Sequence, residues 1–250
     1  MPTAGIVIIG DEILSGKFVE ENAAFLIGEL RALGVDLRRI TVVPDVMDDI
    51  AQAVTDASAR FDHVFTSGGV GPTHDDITMA AIAHGFGTTV MRHPELEAKV
   101  RGYWKDQLAD ANLRMADVPA GAELVYGPDP ASKIWPVVCY RNVYILPGVP
   151  TLFRRKFVEI RDRFRAEPVT AARLYLDIEE GELAPHLDAV VAAHPDVRIG
   201  SYPRFAEREF RVMVTLEAPV GPEVKAAFDQ LAERLGARVV RTDEPHRVGA

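Results

Sequence analysis

The chain has 250 residues, 48% of them hydrophobic, and carries a formal net charge of −9. That length supports two compact domains with sizeable cores, while the acidic balance excludes a broad nucleic-acid or anionic-membrane surface, which needs clustered lysine and arginine. Cys139 is the single cysteine, so there is no disulfide framework and no cysteine-rich zinc site.

The N-terminal segment has no basic region ahead of a signal-like apolar core, and no later run is long enough to span a bilayer, which predicts a cytoplasmic protein with no membrane partner. GIVII, residues 5–9, reads as a buried strand. Residues 21–34 read as a helix stopped by Gly34, and VDLRRITVV as a second strand. MDDIAQAVTDASARF then supplies a helix, HVFT a strand, and the run after Asp76 another helix, giving βαβαβα and a parallel sheet with helices on both faces. A further helix is predicted over residues 93–110, with Pro94 in its first turn and Glu95 and Glu97 at the positive end of its dipole. Three short strands follow, AELVY, IWPVVCY and NVYIL; Cys139, inside the second, reads as a small core residue. The last strand runs into a loop and helix that close the domain near Ala166. Past Glu167 and Pro168 the order becomes βαββαβ, the ferredoxin-like arrangement, and the final EPHRVGA reads as a loose tail. The predicted organisation is a three-layer αβα domain with a mostly parallel sheet over residues 1–167, then a small α+β domain over 168–250.

TSGGVGPTHDDIT, residues 66–78, joins a buried strand to a helix through glycines and ends in paired carboxylates. Gly68, Gly69 and Gly71 remove side chains where phosphates would approach the backbone, and the following helix offers free N–H groups and a positive dipole end. Asp75 and Asp76 beside a bound phosphate are costly unless a cation or a proton lies between them. A hard divalent metal, held by one or two carboxylates, phosphate oxygens and water, meets that need. The plainer alternative, one Asp capping the helix and glycines making the turn, needs neither the second Asp nor the third Gly.

Ligands of open α/β sheets bind beyond the carboxyl ends of the strands, so the loops after Ile9, Thr66 and Leu146 are expected to converge. GDEILSG places Asp11 and Glu12 directly after the first strand. Asp11 either holds a metal-bound water or a ligand amide, or stabilises the turn. LPGVP, residues 146–150, combines a glycine with a proline suited to a helix's first turn.

Together GDEILSG, TSGGVGPTHDDIT and LPGVP resemble the signatures of the MoaB/Mog-type molybdopterin-binding fold. Within it they are most similar to the N-terminal region of CinA-type competence/damage-inducible proteins and the N-terminal domain of eukaryotic FAD synthase. The likeness continues through GSYPRF, residues 200–205, and covers nearly the whole chain. The resemblance implies a pocket for a phosphorylated pterin or a nucleotide diphosphate. Adenylyltransferases of this fold end the glycine loop in Arg-Asp; Asp76 matches that Asp, and Asp75 replaces the Arg. The exchange removes a charge-assisted phosphate contact and raises the demand for metal, which argues against pterin adenylylation. CinA-type and FAD synthase N-terminal domains are instead associated with metal-dependent hydrolysis of ADP-ribose or FAD. Other departures are Glu20-Glu21-Asn22, where CinA-type relatives show Asn-Thr-Asn, and the absence of their Gly-Thr-Ala-Pro-Gly segment around residues 128–136.

The expected activity is therefore a divalent-metal-dependent pyrophosphatase cleaving FAD or ADP-ribose to AMP and a second phosphate. Asp76 and Asp75 are the expected catalytic residues, and Asp75, Asp76 and Asp11 the expected ligands of Mg, Mn or Co. Ligand contacts are expected from Gly10, Asp11, Glu12, Ser67, Gly68, Gly69, Gly71, Thr73, His74, Thr78, Pro147 and Gly148. His74 is either a phosphate donor or a loop residue turned to solvent, and Arg204 and Lys133 are either phosphate partners or ordinary surface cations. The alternative is a non-catalytic module that binds molybdopterin or a nucleotide. A third reading makes the C-terminal domain chiefly an assembly surface. Relatives form dimers or trimers, which predicts a homo-oligomer.

Overall fold

The computed structural model describes residues 1–129, 131–204 and 209–249. The chain divides into two compact units, Pro2–Arg165 and Ala166–Ala250.

The first unit opens with β1 (Thr3–Ile9) and a single helical turn, α1 (Asp11–Leu14), followed by α2 (Asn22–Ala32) and β2 (Asp36–Val43). Next come α3 (Met47–Arg60), β3 (His63–Ser67) and α4 (Thr78–Gly85). A small excursion, β4 (Val90–Arg92), α5 (Pro94–Trp104) and β5 (Asp117–Pro119), pairs β4 with β5 antiparallel. The chain then returns through β6 (Glu123–Val125), β7 (Val137–Tyr140), β8 (Val143–Leu146) and α6 (Pro150–Ile160).

The main sheet has the order β2-β1-β3-β8-β7-β6, parallel from β2 to β8 and antiparallel beyond. Side chains of a strand alternate between faces, and β1 follows this rule. Ala4, Ile6 and Ile8 enter one core with Leu26 and Leu30 of α2 and Phe153 and Phe157 of α6. Val7 and Ile9 enter the other with Ile50 and Val54 of α3, Ile82 of α4 and Val100 of α5. The three-layer arrangement follows from this two-sided burial. Each fully buried phenylalanine contributes roughly 1.5–3 kcal/mol of transfer free energy.

The second unit runs β9 (Thr170–Leu176), α7 (Glu180–Ala193), β10 (Arg198–Pro203), β11 (Val212–Ala218), α8 (Gly221–Leu235) and β12 (Val239–Arg247). Its antiparallel sheet has the order β10-β11-β9-β12, that of a ferredoxin-like unit. Leu174, Leu176, Val214 and Leu216 pack against Leu183 of α7 and Phe228 and Leu231 of α8.

Four local expectations are corrected. The tail is not loose to its end: β12 extends to Arg247, with Thr242 opposite Leu174 and Arg247 opposite Thr170, because a neighbouring strand satisfies its backbone. The helix expected over 93–110 stops at Trp104, where Lys105 has φ 46°, and 3₁₀ turns replace its last part. The strand expected from Ile134 starts at Val137, leaving Ile134, Trp135 and Pro136 in the preceding loop. The first loop contains α1, too short for a periodic signal to announce. Phe205, the last residue of GSYPRF, lies outside the described residues.

Candidate functional site

Register decides where the loops begin. Ile8 of β1 lies opposite Ser67 of β3, and Ser67 opposite Leu146 of β8, so three strands end level with one another. Their loops meet so closely that no side chain fits between them. A Cβ on Gly68, whose φ is +112°, would lie 2.1 Å from the Ile9 carbonyl oxygen, and one on Gly148 would lie 3.2 Å from the Gly68 Cα. A Cβ on Gly69, at φ +64°, would strike the Thr78 hydroxyl at 2.3 Å, and one on Gly71 would strike the Asp76 carboxylate at 2.5 Å. The space the glycines leave is thus filled by the protein's own atoms, and what they offer a ligand is backbone N–H groups.

The amide inventory is specific. Gly68 N–H donates to the Leu146 carbonyl (3.2 Å) and Thr78 N–H to the Gly69 carbonyl (3.0 Å). Among the described residues the amides of Gly69, Val70 and Gly71 have no hydrogen-bond partner. All three residues line a cavity of about 1180 Å³ at the strand ends. Free amides on a cavity wall are anion donors.

Neither aspartate caps α4. The helix starts at Thr78, its N-cap position is Ile77, and no side chain caps it. Asp76 instead closes the loop on itself, its Oδ2 accepting from Thr73 N (2.8 Å). The Thr73 hydroxyl oxygen lies 2.5 Å from both Asp76 Oδ2 and Asp75 Oδ1. One hydroxyl proton serves only one of the two carboxylates, so one of these two short oxygen–oxygen contacts has no hydrogen of Thr73 between its atoms. The Thr73 hydroxyl, above all, holds the Asp75 carboxyl below its usual range.

A second acidic residue set lies on the first loop. Asp45 Oδ2, in the turn after β2, accepts from Asp11 N (2.9 Å). Burial raises the Asp45 carboxyl above its usual value; the Asp11 amide opposes this, and the nearby charges of Glu12, Asp11 and Asp75 add to it. Sequence reasoning passed over Asp45, although its place just beyond a strand's carboxyl end was the signal that singled out Asp11.

Asn22, the residue of the Glu20-Glu21-Asn22 departure that keeps a polar contact available, joins the site although the expected ligand contacts do not include it. It is 4% exposed, and its Nδ2 donates to Ser67 Oγ (2.8 Å) and to the Gly148 carbonyl (2.7 Å), tying the glycine loop to the LPGVP loop. Its Oδ1 is buried and has no partner among the described residues. Glu20, in the first departure from the CinA-type pattern, accepts from the backbone N–H of Asn22 (2.7 Å) and Ala23 (2.9 Å) and so fixes the start of α2.

Of the expected site residues, Glu12, Ser67, Gly68, Gly69, Gly71, Asp76, Pro147 and Gly148 line the cavity, and Lys133 joins them. Gly10, Asp11, Thr73, His74, Asp75 and Thr78 are not on its wall. Thr78 is fully buried and its hydroxyl donates to the Gly68 carbonyl (2.9 Å), so it shapes the loop. His74 is turned to solvent with its side chain 95% exposed, 3.8 Å from Asp75. Arg204 belongs to the second unit. Asp11, Asp75 and Asp76 do not form one metal cage: among the described residues no group of three or more His, Cys, Asp or Glu is placed to hold a metal ion. The physical reason is that Asp11 starts α1 with its amide engaged by Asp45, while Asp75 and Asp76 are drawn together by Thr73. What remains is a two-carboxylate, one-hydroxyl oxygen set, which suits a hard cation that completes its shell with phosphate oxygens and water.

Lys17, Lys133 and Arg155 also line the cavity, without an ion-pair partner among the described residues. No helix is long and apolar enough to cross a membrane among those residues.

The geometry can be set beside known proteins. Residues 5–166 match the family described as "Probable molybdopterin binding domain", and residues 168–244 match "FAD synthase, middle domain". A probable FAD synthase of Caenorhabditis elegans is 32% identical over 96% of this chain, which spans 51% of that protein. A protein of Pyrobaculum calidifontis is 33% identical over 94% of this chain and 95% of its own length. Among solved structures, the crystal structure of the protein CinA, with unknown function, from Thermoplasma acidophilum is similar over 65% of this chain and 98% of its own, at 30% identity and a TM-score of 0.58. The chain therefore spans about half the length of the FAD synthase it matches.

Proposed function

Because the chain belongs to the molybdopterin-binding-domain family and continues into an FAD synthase middle-domain region, we propose that it is a divalent-metal-dependent pyrophosphatase acting on FAD or ADP-ribose. Water adds to the adenylyl phosphorus and gives up its protons to solvent, the bridging P–O bond breaks, and the leaving phosphate takes the bonding electrons. FAD yields AMP and FMN; ADP-ribose yields AMP and ribose 5-phosphate.

The observation that carries this reading is the pairing of three unengaged amides, at Gly69, Val70 and Gly71, with the Asp75–Thr73–Asp76 oxygen set on the same short loop. The amides bind and orient the diphosphate. Asp76, which reaches the cavity wall, and Asp75 beside it supply the carboxylate donors for Mg²⁺, Mn²⁺ or Co²⁺. The metal, when bound, supplies Lewis acidity toward the phosphate oxygens. Asn22 holds the glycine loop and the LPGVP loop at a fixed separation.

A second reading, a non-catalytic molybdopterin- or nucleotide-binding module, is favoured by the lack of a three-acid metal cluster among the described residues. The two are separated by incubating metal-stripped protein with FAD or ADP-ribose, adding back Mg²⁺, Mn²⁺ or Co²⁺ singly, and detecting AMP by chromatography. AMP that appears only with metal supports the pyrophosphatase. Retention of ligand without AMP under any condition supports the module.

A further inference from the structure

The wall of the same cavity also carries aromatic side chains for which the diphosphate chemistry has no use. Tyr103 and Trp104, at the end of α5, and Trp135, in the loop before β7, all line it. Trp104 and Trp135 meet edge to face with centroids 6.0 Å apart, and Tyr103 contacts each of them, at 4.6 Å and 6.0 Å. Both tryptophans rest on the core beneath and are only half-buried, and Tyr103 is 70% exposed.

Beside them stands a cation. Lys156 of α6 lines the cavity and donates from Nζ to the carbonyl of Pro136, the residue after Trp135, at 2.7 Å. It has no carboxylate partner among the described residues. An ammonium has three N–H donors, so two remain for acceptors in the cavity. Burial lowers the Lys156 pKa to about 8, consistent with a charge that the protein alone leaves poorly compensated. Size points the same way: ligand pockets commonly hold about 300–1,000 Å³, and this cavity, at about 1180 Å³, exceeds what a mononucleotide fills.

We propose that Tyr103, Trp104, Trp135 and Lys156 form a ring subsite, in which the aromatic side chains pack a planar heteroaromatic ring and the lysine donates to a ring carbonyl. The preferred ligand is then a dinucleotide whose non-adenylyl half ends in a carbonyl-bearing ring system, over one ending in a bare sugar. This rests on reading the cavity as a nucleoside-diphosphate site and narrows it to flavin-type substrates.

The chain has two tryptophans, and both are in this wall, so intrinsic fluorescence reports its occupancy directly. Metal-stripped protein would be titrated with FAD, FMN, ADP-ribose and AMP, with affinities from equilibrium dialysis and tryptophan quenching read in parallel. The expected result is tryptophan quenching by FAD and FMN, with FAD bound about tenfold or more tightly than ADP-ribose, the worth of one hydrogen bond to a charged group. Trp135→Leu and, separately, Lys156→Met should bring the FAD to ADP-ribose ratio toward one, with circular dichroism confirming the fold. Equal affinities in the wild type, an unchanged ratio in both variants, or no FAD binding overturns the subsite. AMP release with metal, measured on the same preparations, keeps the two ideas apart. Flavin preference without AMP rejects the pyrophosphatase and leaves the subsite standing; AMP from both substrates without preference does the reverse.

Discussion

The glycine–acid wall of the cavity comes from one unbroken run, Thr66 to Thr78, whereas the aromatic–lysine wall is gathered from Trp104, Trp135 and Lys156, far apart in sequence. The first is made of backbone and short side chains held at the ends of three strands, with its glycine positions closed by neighbouring atoms. The second is made of long side chains from a helix end, a loop and another helix, which present side-chain surface and an ammonium group instead of backbone. A wall of the first kind suits an invariant chemical group such as a diphosphate. A wall of the second kind suits the part of a ligand that varies, so the two should fail in different ways when altered.

The sharpest break in that comparison is Asp76→Asn, which keeps an acceptor for the Thr73 amide while removing the charge. AMP release from FAD and from ADP-ribose should fall together, by roughly 10³-fold, the scale of losing one catalytic group, with the circular dichroism spectrum unchanged. Activity near wild type in this variant would remove Asp76 from the chemistry. Next in size, Gly69→Ala forces a left-handed backbone on alanine and drives its Cβ against Thr78. The expected cost is about 2 kcal/mol or more, seen as a lower urea midpoint; a stability within error of wild type would contradict the close packing of this wall. Asn22→Ala leaves Ser67 Oγ and the Gly148 carbonyl without their donor. It should cost about 1–3 kcal/mol and lower turnover of both substrates, and an effect on only one substrate would mean that Asn22 belongs to specificity instead.

The smallest effect is expected from the other wall. Burial holds the Lys156 ammonium at about 8 in the folded chain against 10.5 when unfolded. Between those values the unfolded chain binds the extra proton, so this residue makes stability rise with pH across the window and costs stability below it. Lys156→Met should therefore be more stable than wild type at pH 7, by about 1 kcal/mol, and the difference should shrink as pH rises from 8 toward 10. A destabilised variant at pH 7 would show that Lys156 is a structural element and not a charge kept for a ligand.

The same contrast explains how much was legible in the sequence. Parallel strands, their helices and the βαββαβ order were readable because apolar periodicity and glycine stops are local signals. The loops after Ile9, Thr66 and Leu146 were readable, to within the one residue by which β3 runs on to Ser67, because strand ends are where an open sheet exposes backbone. What Thr78 and Asp76 do inside the loop was not, since a hydroxyl bonded to Gly68 and a carboxylate bonded to Thr73 look in sequence like ligand donors. Asp11 was separated from the other two aspartates by a partner, Asp45, more than thirty residues away. The aromatic wall had no motif at all: Trp104 and Trp135 become neighbours only when α5 stops short at Lys105 and the loop before β7 runs on to Pro136.

The pairing of β12 with β9 has its own consequence. Arg247 lies opposite Thr170, and Val248 N–H donates to the Val169 carbonyl at 2.8 Å, so the second unit's entry and exit stand side by side. A unit built this way behaves as a cassette: chain can arrive and leave through one doorway without crossing its sheet. Cutting the second unit from the first ahead of residue 169, joining residues 169 and 248 by a short linker and opening the unit instead in the turn between β11 and α8 should give a circular permutant whose circular dichroism spectrum matches that of the unpermuted unit.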